Sequence, residues 1–139
     1  MNYIDYFKSQ SKKFYKDFKT QYKKEGESIY SYTPTFWADI EDIIVDFNID
    51  EYNFSLMKAQ HIVANLAGFD SWNELLSANE YKLELGYLLV ENRWGRLVGN
   101  QWGYILEDWK MYRDINLRHL NLDDESELEI FKYTFLHKE

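Results

Sequence analysis

The chain contains no cysteine, a single proline and six glycines among 139 residues. Without cysteine, disulfides and thiolate metal sites are excluded, and packing alone must hold the fold. No window reaches 18 consecutive apolar residues, which excludes a hydrophobic membrane-spanning helix. Met1 to Lys24 is rich in Lys and Tyr and carries no apolar run before a small-residue cleavage site, so the expectation is a cytoplasmic protein with no membrane partner. Three catalytic signatures are also missing: the G-x-S-x-G elbow, the P-loop and the Rossmann fingerprint. Gly95, Gly99 and Gly103 recur every four residues, but this is not a phosphate-binding spacing and lacks the apolar setting of a membrane dimer. The three histidines, His61, His119 and His137, are far apart and form no ligand-spaced pair. No metal, no cofactor and no catalytic residue is therefore expected, and the reading leans away from an enzyme.

What is present is apolar and acidic. Hydrophobic residues make up 45% and aromatics 19%, which excludes a disordered tail. A chain of this length buries roughly 68% of its unfolded surface, enough for one domain with a real core. The net charge of −8 is unevenly placed, because residues 1–24 carry +5 and residues 25–139 carry −13. An acidic body repels nucleic acid at long range and steers toward basic partners.

The most informative segment is Leu56 to Leu76. At about 100° per residue, Leu56, Ala59, Ile62, Val63, Leu66 and Ala67 fall on one arc, with Lys58, His61 and Asn65 opposite. Gly68 stands where a left-handed residue ends a helix, and Phe69 can fold back on the last turn. Ser71 and Glu74 form a capping box that starts a second helix at Trp72, the aromatic expected to be buried. Gln60 lies at the edge of the arc, where its amide suits a structural role within the helical hairpin. The pattern A-x-x-x-A-x-x-x-G-F-x-S-W-x-x-L, covering about 20 residues, resembles a motif of uncharacterised bacterial and phage-borne proteins that also occurs beside glyoxalase-like and ankyrin segments. The resemblance implies a helical hairpin and no activity.

Elsewhere the periodicity is also helical. Tyr3, Phe7, Phe14, Phe18 and Tyr22 predict a basic N-terminal helix within residues 1–26, closed by Glu25-Gly26-Glu27. Thr33 with Pro34 predicts the start of a second helix whose Phe36, Ile40, Ile43, Ile44 and Phe47 face inward. Ser77 with Glu80 predicts another capping box, and two apolar stripes on the helix that follows mark it as central and buried. Residues 93–104 read as an ordered loop or a short hairpin turning at Gly99-Asn100. Ile105, Trp109, Tyr112 and Ile115 share a helix, and Asp124 with Glu127 caps the last one. The expected fold is all-α, a single domain over residues 1–139 with five or six helices, the body spanning 30–139.

Two charged surfaces remain as binding candidates. Asp39, Asp42 and Asp46 share one stripe, and Asp123, Asp124, Glu125, Glu127 and Glu129 cluster near the last helix. Together they suggest a non-enzymatic, acidic protein-binding module, and size and charge by analogy suggest a bacterial or prophage inhibitor that occludes the basic surface of a defence nuclease or toxin. The alternative is a nucleic-acid-binding regulator using Lys8, Lys12, Lys13, Lys16, Lys19 and Lys23, although docking of that helix on the acidic body is the favoured use of those lysines. DNA reading by the hairpin is disfavoured, because Asp70, Asn73 and Glu74 occupy the start of its second helix, where base contacts and phosphate partners need Arg or Lys.

Overall fold

A computed structural model describes residues 1–95 and 103–136. The fold is all-α. Seven α-helices lie among the described residues: α1 (Tyr3–Phe18), α2 (Ile40–Asp46), α3 (Leu56–Leu66), α4 (Trp72–Leu76), α5 (Glu80–Glu91), α6 (Ile105–Tyr112) and α7 (Asp124–Phe131). Two residues of β1 (Trp94–Gly95) pair antiparallel with β2 (Gly103–Tyr104), and the Trp94 ring stacks 4.4 Å from Tyr104. The expected turn at Gly99-Asn100 lies outside the described residues, as does Trp102. The chain divides into two compact units, one of residues 5–63 and one of residues 1–4 with 64–139.

In the unit of residues 5–63, α1 presents Phe7, Ser11, Phe14 and Phe18 on its buried side. Phe14 meets Trp37 edge-on at 5.1 Å, and Phe18 stacks on Phe54 at 4.1 Å. The helix ends at Phe18 rather than running to Lys24. Thr20 and Gln21 donate backbone hydrogen bonds to the carbonyls of Asp17 and Phe18, and Tyr22 then pairs with Ser31 across the Gly26 turn. Gly26 takes a positive φ of 82° there, as a turn requires.

The helix expected from Thr33-Pro34 does not form at that point. Asp17, 1% exposed, accepts the backbone N–H groups of Thr35, Phe36 and Trp37 at 2.8, 2.9 and 2.6 Å. A carboxylate from another element thus takes the donors that a helix start would have presented, and α2 begins only at Ile40. Phe36 is consequently outside the helix and 47% exposed, whereas Ile40, Ile43 and Ile44 are buried as their spacing predicts.

The other unit takes up the chain at Ala64, in the last turn of α3, and contains the turn into α4. Phe69 N–H donates to Ala64 C=O at 2.9 Å and Gly68 N–H to Asn65 C=O at 3.0 Å, the paired bonds of a Schellman ending. Gly68 has φ 93°, and a Cβ there would lie 3.3 Å from Leu89 Cδ1. Asn65 adds its amide, donating to Phe69 C=O at 3.0 Å. Ser71 Oγ then accepts from Glu74 N–H at 3.1 Å to start α4, while Glu74 returns its carboxylate to Asp70 N–H at 3.3 Å. The reciprocal half of the capping box is therefore displaced by one residue.

The buried aromatic of this turn is Phe69, 6% exposed, and Trp72 is only half-buried. Gly86 explains the choice. A Cβ at Gly86 would sit 3.0 Å from Ala67 O and 3.2 Å from Phe69 Cε2, so the absence of a side chain lets α5 close onto Phe69. Asn79, not Ser77, caps α5 by accepting Lys82 N–H at 3.0 Å, and Asp123, not Asp124, caps α7 by accepting Ser126 N–H at 2.8 Å. In both places the capping oxygen belongs to the last extended residue, three before its donor. Helices α5 and α7 pack together over Leu89, Leu106, Trp109 and Phe131. Beyond α6 the chain widens into a π turn over Arg113–Leu117, which leaves Ile115 69% exposed rather than on the expected apolar face.

Candidate functional site

The acidic residues singled out by sequence fall in both units and meet different fates. Around α7, Asp123 is committed to its cap, and the Ser126 hydrogen bonds hold its carboxyl below the usual range. Asp124 accepts from Asn79 Nδ2 at 2.6 Å. Glu125 lies beside the Tyr81 hydroxyl, whose ionisation its charge opposes. Burial raises the pKa of Glu127, against the pull of Arg113 and with a push from Asp124. Glu129 reaches Lys132 at 3.6 Å, and that ammonium also bonds Glu84 at 2.5 Å.

Asp124 and Glu127 line a cleft of about 280 Å³ together with Phe69, Leu85, Leu106 and Trp109. Lys82, Lys110 and Arg113 share the lining with Asp70, Glu74, Asp124 and Glu127. Charges of both signs among apolar side chains are suited to orientation of a polar molecule, but the lining offers no group with the geometry of a nucleophile and its base.

In the other unit, residues 25–57 carry eight carboxylates and neither Lys nor Arg. Three of these carboxylates accept hydrogen bonds within the segment: Glu41 from Tyr32 N–H at 3.1 Å, Glu51 from the Tyr32 hydroxyl at 2.5 Å and Asp50 from Tyr52 N–H at 3.0 Å. Gln21 donates to both Tyr32 Oη and Glu51 C=O, and burial together with Glu51 pushes the Tyr32 pKa far up. Asp42 and Asp46 lie on the exposed side of α2, opposite Ile40, Ile43 and Ile44, and Asp39 is half-buried at its start. Asp42 in the first turn is favoured by the helix dipole. Asp46 in the last turn is opposed by the same dipole, by about 0.3–1 kcal/mol.

Between the residues that follow α2 and the start of α3 lies a groove of about 470 Å³ lined by Phe47, Ile49, Phe54, Met57 and Ile62, with Asp50, Lys58 and His61 also on its lining. Sequence periodicity misses it. Its one available signal is Met57, an apolar residue off the buried arc of α3 and 77% exposed.

The candidate basic surface is open. Lys8, Lys12, Lys16, Lys19 and Lys23 are exposed, and Lys13 is half-buried with its ammonium 5.3 Å from the Phe36 ring centre. Only Lys8 to Lys16 lie on α1; Lys19 and Lys23 follow it and sit over the rings of Tyr15 and Tyr30 at 4.6 Å. Lys8, Lys12 and Lys16 recur every fourth residue and form a stripe. Gln60 is half-buried, His61 and His119 are exposed, and His137 lies outside the described residues.

Among the described residues no group of three or more His, Asp or Glu is placed to hold a metal ion, and no helix is long and apolar enough to cross a membrane. Compared with protein-family models, curated proteins and solved structures, the chain has no significant match.

Proposed function

We propose that the chain is a non-enzymatic protein-binding module that presents the acidic α2 segment to a basic surface of a partner. The observation that carries this reading is the 25–57 segment itself, eight carboxylates and no Lys or Arg of its own, with Asp42 and Asp46 on the exposed face of a helix anchored by three buried isoleucines. Exposed carboxylates on a fixed backbone attract a cationic surface without reorganising. Small size and acidic charge support the more specific role of an inhibitor, bacterial or prophage-borne, that covers the nucleic-acid-binding face of a defence nuclease or toxin.

The test is capture of partners from a bacterial host by immobilised wild-type protein and by the Asp39→Asn/Asp42→Asn/Asp46→Asn variant, followed by mass spectrometry. A basic protein retained by the wild type and lost from the variant is the expected result. Equal retention by both overturns the reading.

The exposed stripe of Lys8, Lys12 and Lys16 favours a second reading, a regulator that contacts nucleic-acid phosphates. Three phosphate contacts are few against a chain of net charge −8, which places this reading second. Micromolar retention of labelled duplex DNA, abolished by changing these three lysines to Glu, would establish it.

A further inference from the structure

We infer that the cleft lined by residues of α5, α6 and α7 binds a small zwitterion with an apolar side chain, a free α-amino acid. The inference is independent of the α2 reading, because every lining residue belongs to the unit of residues 1–4 and 64–139.

Two half-buried charges of opposite sign carry it. Arg113, the first residue of the π turn after α6, and Glu127, on α7, both line this cleft and both line a second cavity of about 270 Å³. Burial raises the Glu127 pKa and the nearby Arg113 charge lowers it, so the two groups sense each other. Yet among the described residues they form no ion pair, and neither side chain makes a hydrogen bond. A guanidinium has five donors and an ionised carboxylate about four acceptor sites, and holding both partly out of water without partners is costly. A molecule with a carboxylate and an ammonium on one carbon bridges such a separation. Its carboxylate takes the Arg113 fork and its ammonium takes Glu127.

The rest of the lining chooses among ligand charges. Lys82, Lys110 and Arg113 stand against Asp70, Glu74, Asp124 and Glu127, a net charge of −1. A simple anion meets this negative balance, and a simple cation meets three cationic side chains that form no ion pair among the described residues. A zwitterion is neutral as a whole and uses both signs. Leu85, Leu106 and Trp109 supply apolar surface for its side chain. The volume of about 280 Å³ lies at the low end of ligand pockets, roughly 300–1,000 Å³, which restricts the occupant to a molecule of amino-acid size.

The full chain, labelled with carbon-13 at the leucine methyls, is titrated with phenylalanine, with phenylpropanoate, which lacks the ammonium, and with phenethylamine, which lacks the carboxylate. Phenylalanine is expected to shift the Leu85 and Leu106 methyls with a Kd of about 1 mM or tighter, as suits a ligand of this size, and to leave Leu56 of the other unit unmoved. Each analogue should bind at least about tenfold more weakly, the value of one charge-assisted hydrogen bond. Arg113→Gln should weaken phenylalanine by a similar factor and abolish its advantage over phenethylamine, while Glu127→Gln abolishes its advantage over phenylpropanoate. A merely structural role for either residue would weaken all three probes alike.

Equal binding of phenylalanine and either analogue by the wild type overturns the inference, since one of the two charges is then not read. Leucine methyls unmoved by about 10 mM phenylalanine, well above the expected Kd, overturn it as well. Selectivity left intact in both Gln variants shows that the charges are read by other groups, and overturns the assignment to Arg113 and Glu127.

Discussion

The carboxylates around α2 and those at the start of α7 carry the same charge at similar spacing, and the fold spends them differently. At α7, Asp123 closes the helix, Asp124 ties down Asn79, and Glu127 is drawn partly out of water beside Arg113. On α2, Asp42 and Asp46 are exposed, and the helix is anchored from its other face by Ile40, Ile43 and Ile44. An acidic cluster therefore has to be sorted by what each oxygen accepts before it is assigned a partner.

Four measurements can break or sharpen that contrast. The largest effect is expected at Asp17, the most committed carboxylate: Asp17→Ala leaves three backbone donors unmatched and should cost about 3–5 kcal/mol. Asp17→Asn, which keeps an acceptor oxygen but not the charge, should fall between the variant and wild type in urea unfolding at constant m-value. A loss in Asp17→Ala below about 1 kcal/mol would show that the loop at residues 33–37 is held by other means.

Next is Asp124→Ala, which removes the tie to Asn79 and should cost about 0.5–1 kcal/mol in thermal unfolding. The double variant Asp42→Asn/Asp46→Asn should then change stability by less than about 0.5 kcal/mol, as surface substitutions do. A loss as large as that of Asp124→Ala would erase the distinction between the two regions.

The smallest effect concerns pH. Burial raises the pKa of Glu127 in the folded protein, so the unfolded chain releases this proton first as pH rises. The stability this group contributes is present below the ordinary glutamate value of about 4.3 and is lost as pH rises through the elevated folded value. Glu127→Gln should therefore gain stability relative to wild type on going from acid to neutral pH, by no more than about 0.5 kcal/mol for a partly solvated group. Asp123 runs the opposite way. Its depressed pKa contributes stability above the ordinary aspartate range, and that contribution is lost as pH falls through the folded value. A wild type and a Glu127→Gln variant with parallel stability curves would show that Glu127 is as solvated as the α2 aspartates.

Local chemistry was legible in the sequence, and long-range choices were not. The arc from Ala59 to Ala67, the left-handed Gly68 and the Ser71 cap are each specified by residues within one or two turns, and each is found. The start of α2 was misplaced because Asp17 lies about 20 residues from the amides it binds and displaces the local Thr33-Pro34 signal. Trp72 is the aromatic that the sequence marks for burial, and Phe69 takes its place because Gly86 lets α5 close onto it. The candidate site divides the same way: the α2 aspartates follow from helical spacing, while the groove exists only where Phe47 and Ile49 come beside Met57. The commitment of the α7 acids was hidden for a related reason, since a cap and a surface charge are written with the same residue types.

The bonds from Asp17 also set a timetable for solvent exchange. Thr35 and Phe36 are exposed residues in a stretch without regular structure, and by that measure their amide protons should trade with water almost at once. Their N–H groups instead point at a carboxylate carried on the last turn of α1. Exchange at these positions has to wait for that turn to let go, so a deuterium map will score an irregular loop as though it were part of the helix that holds it.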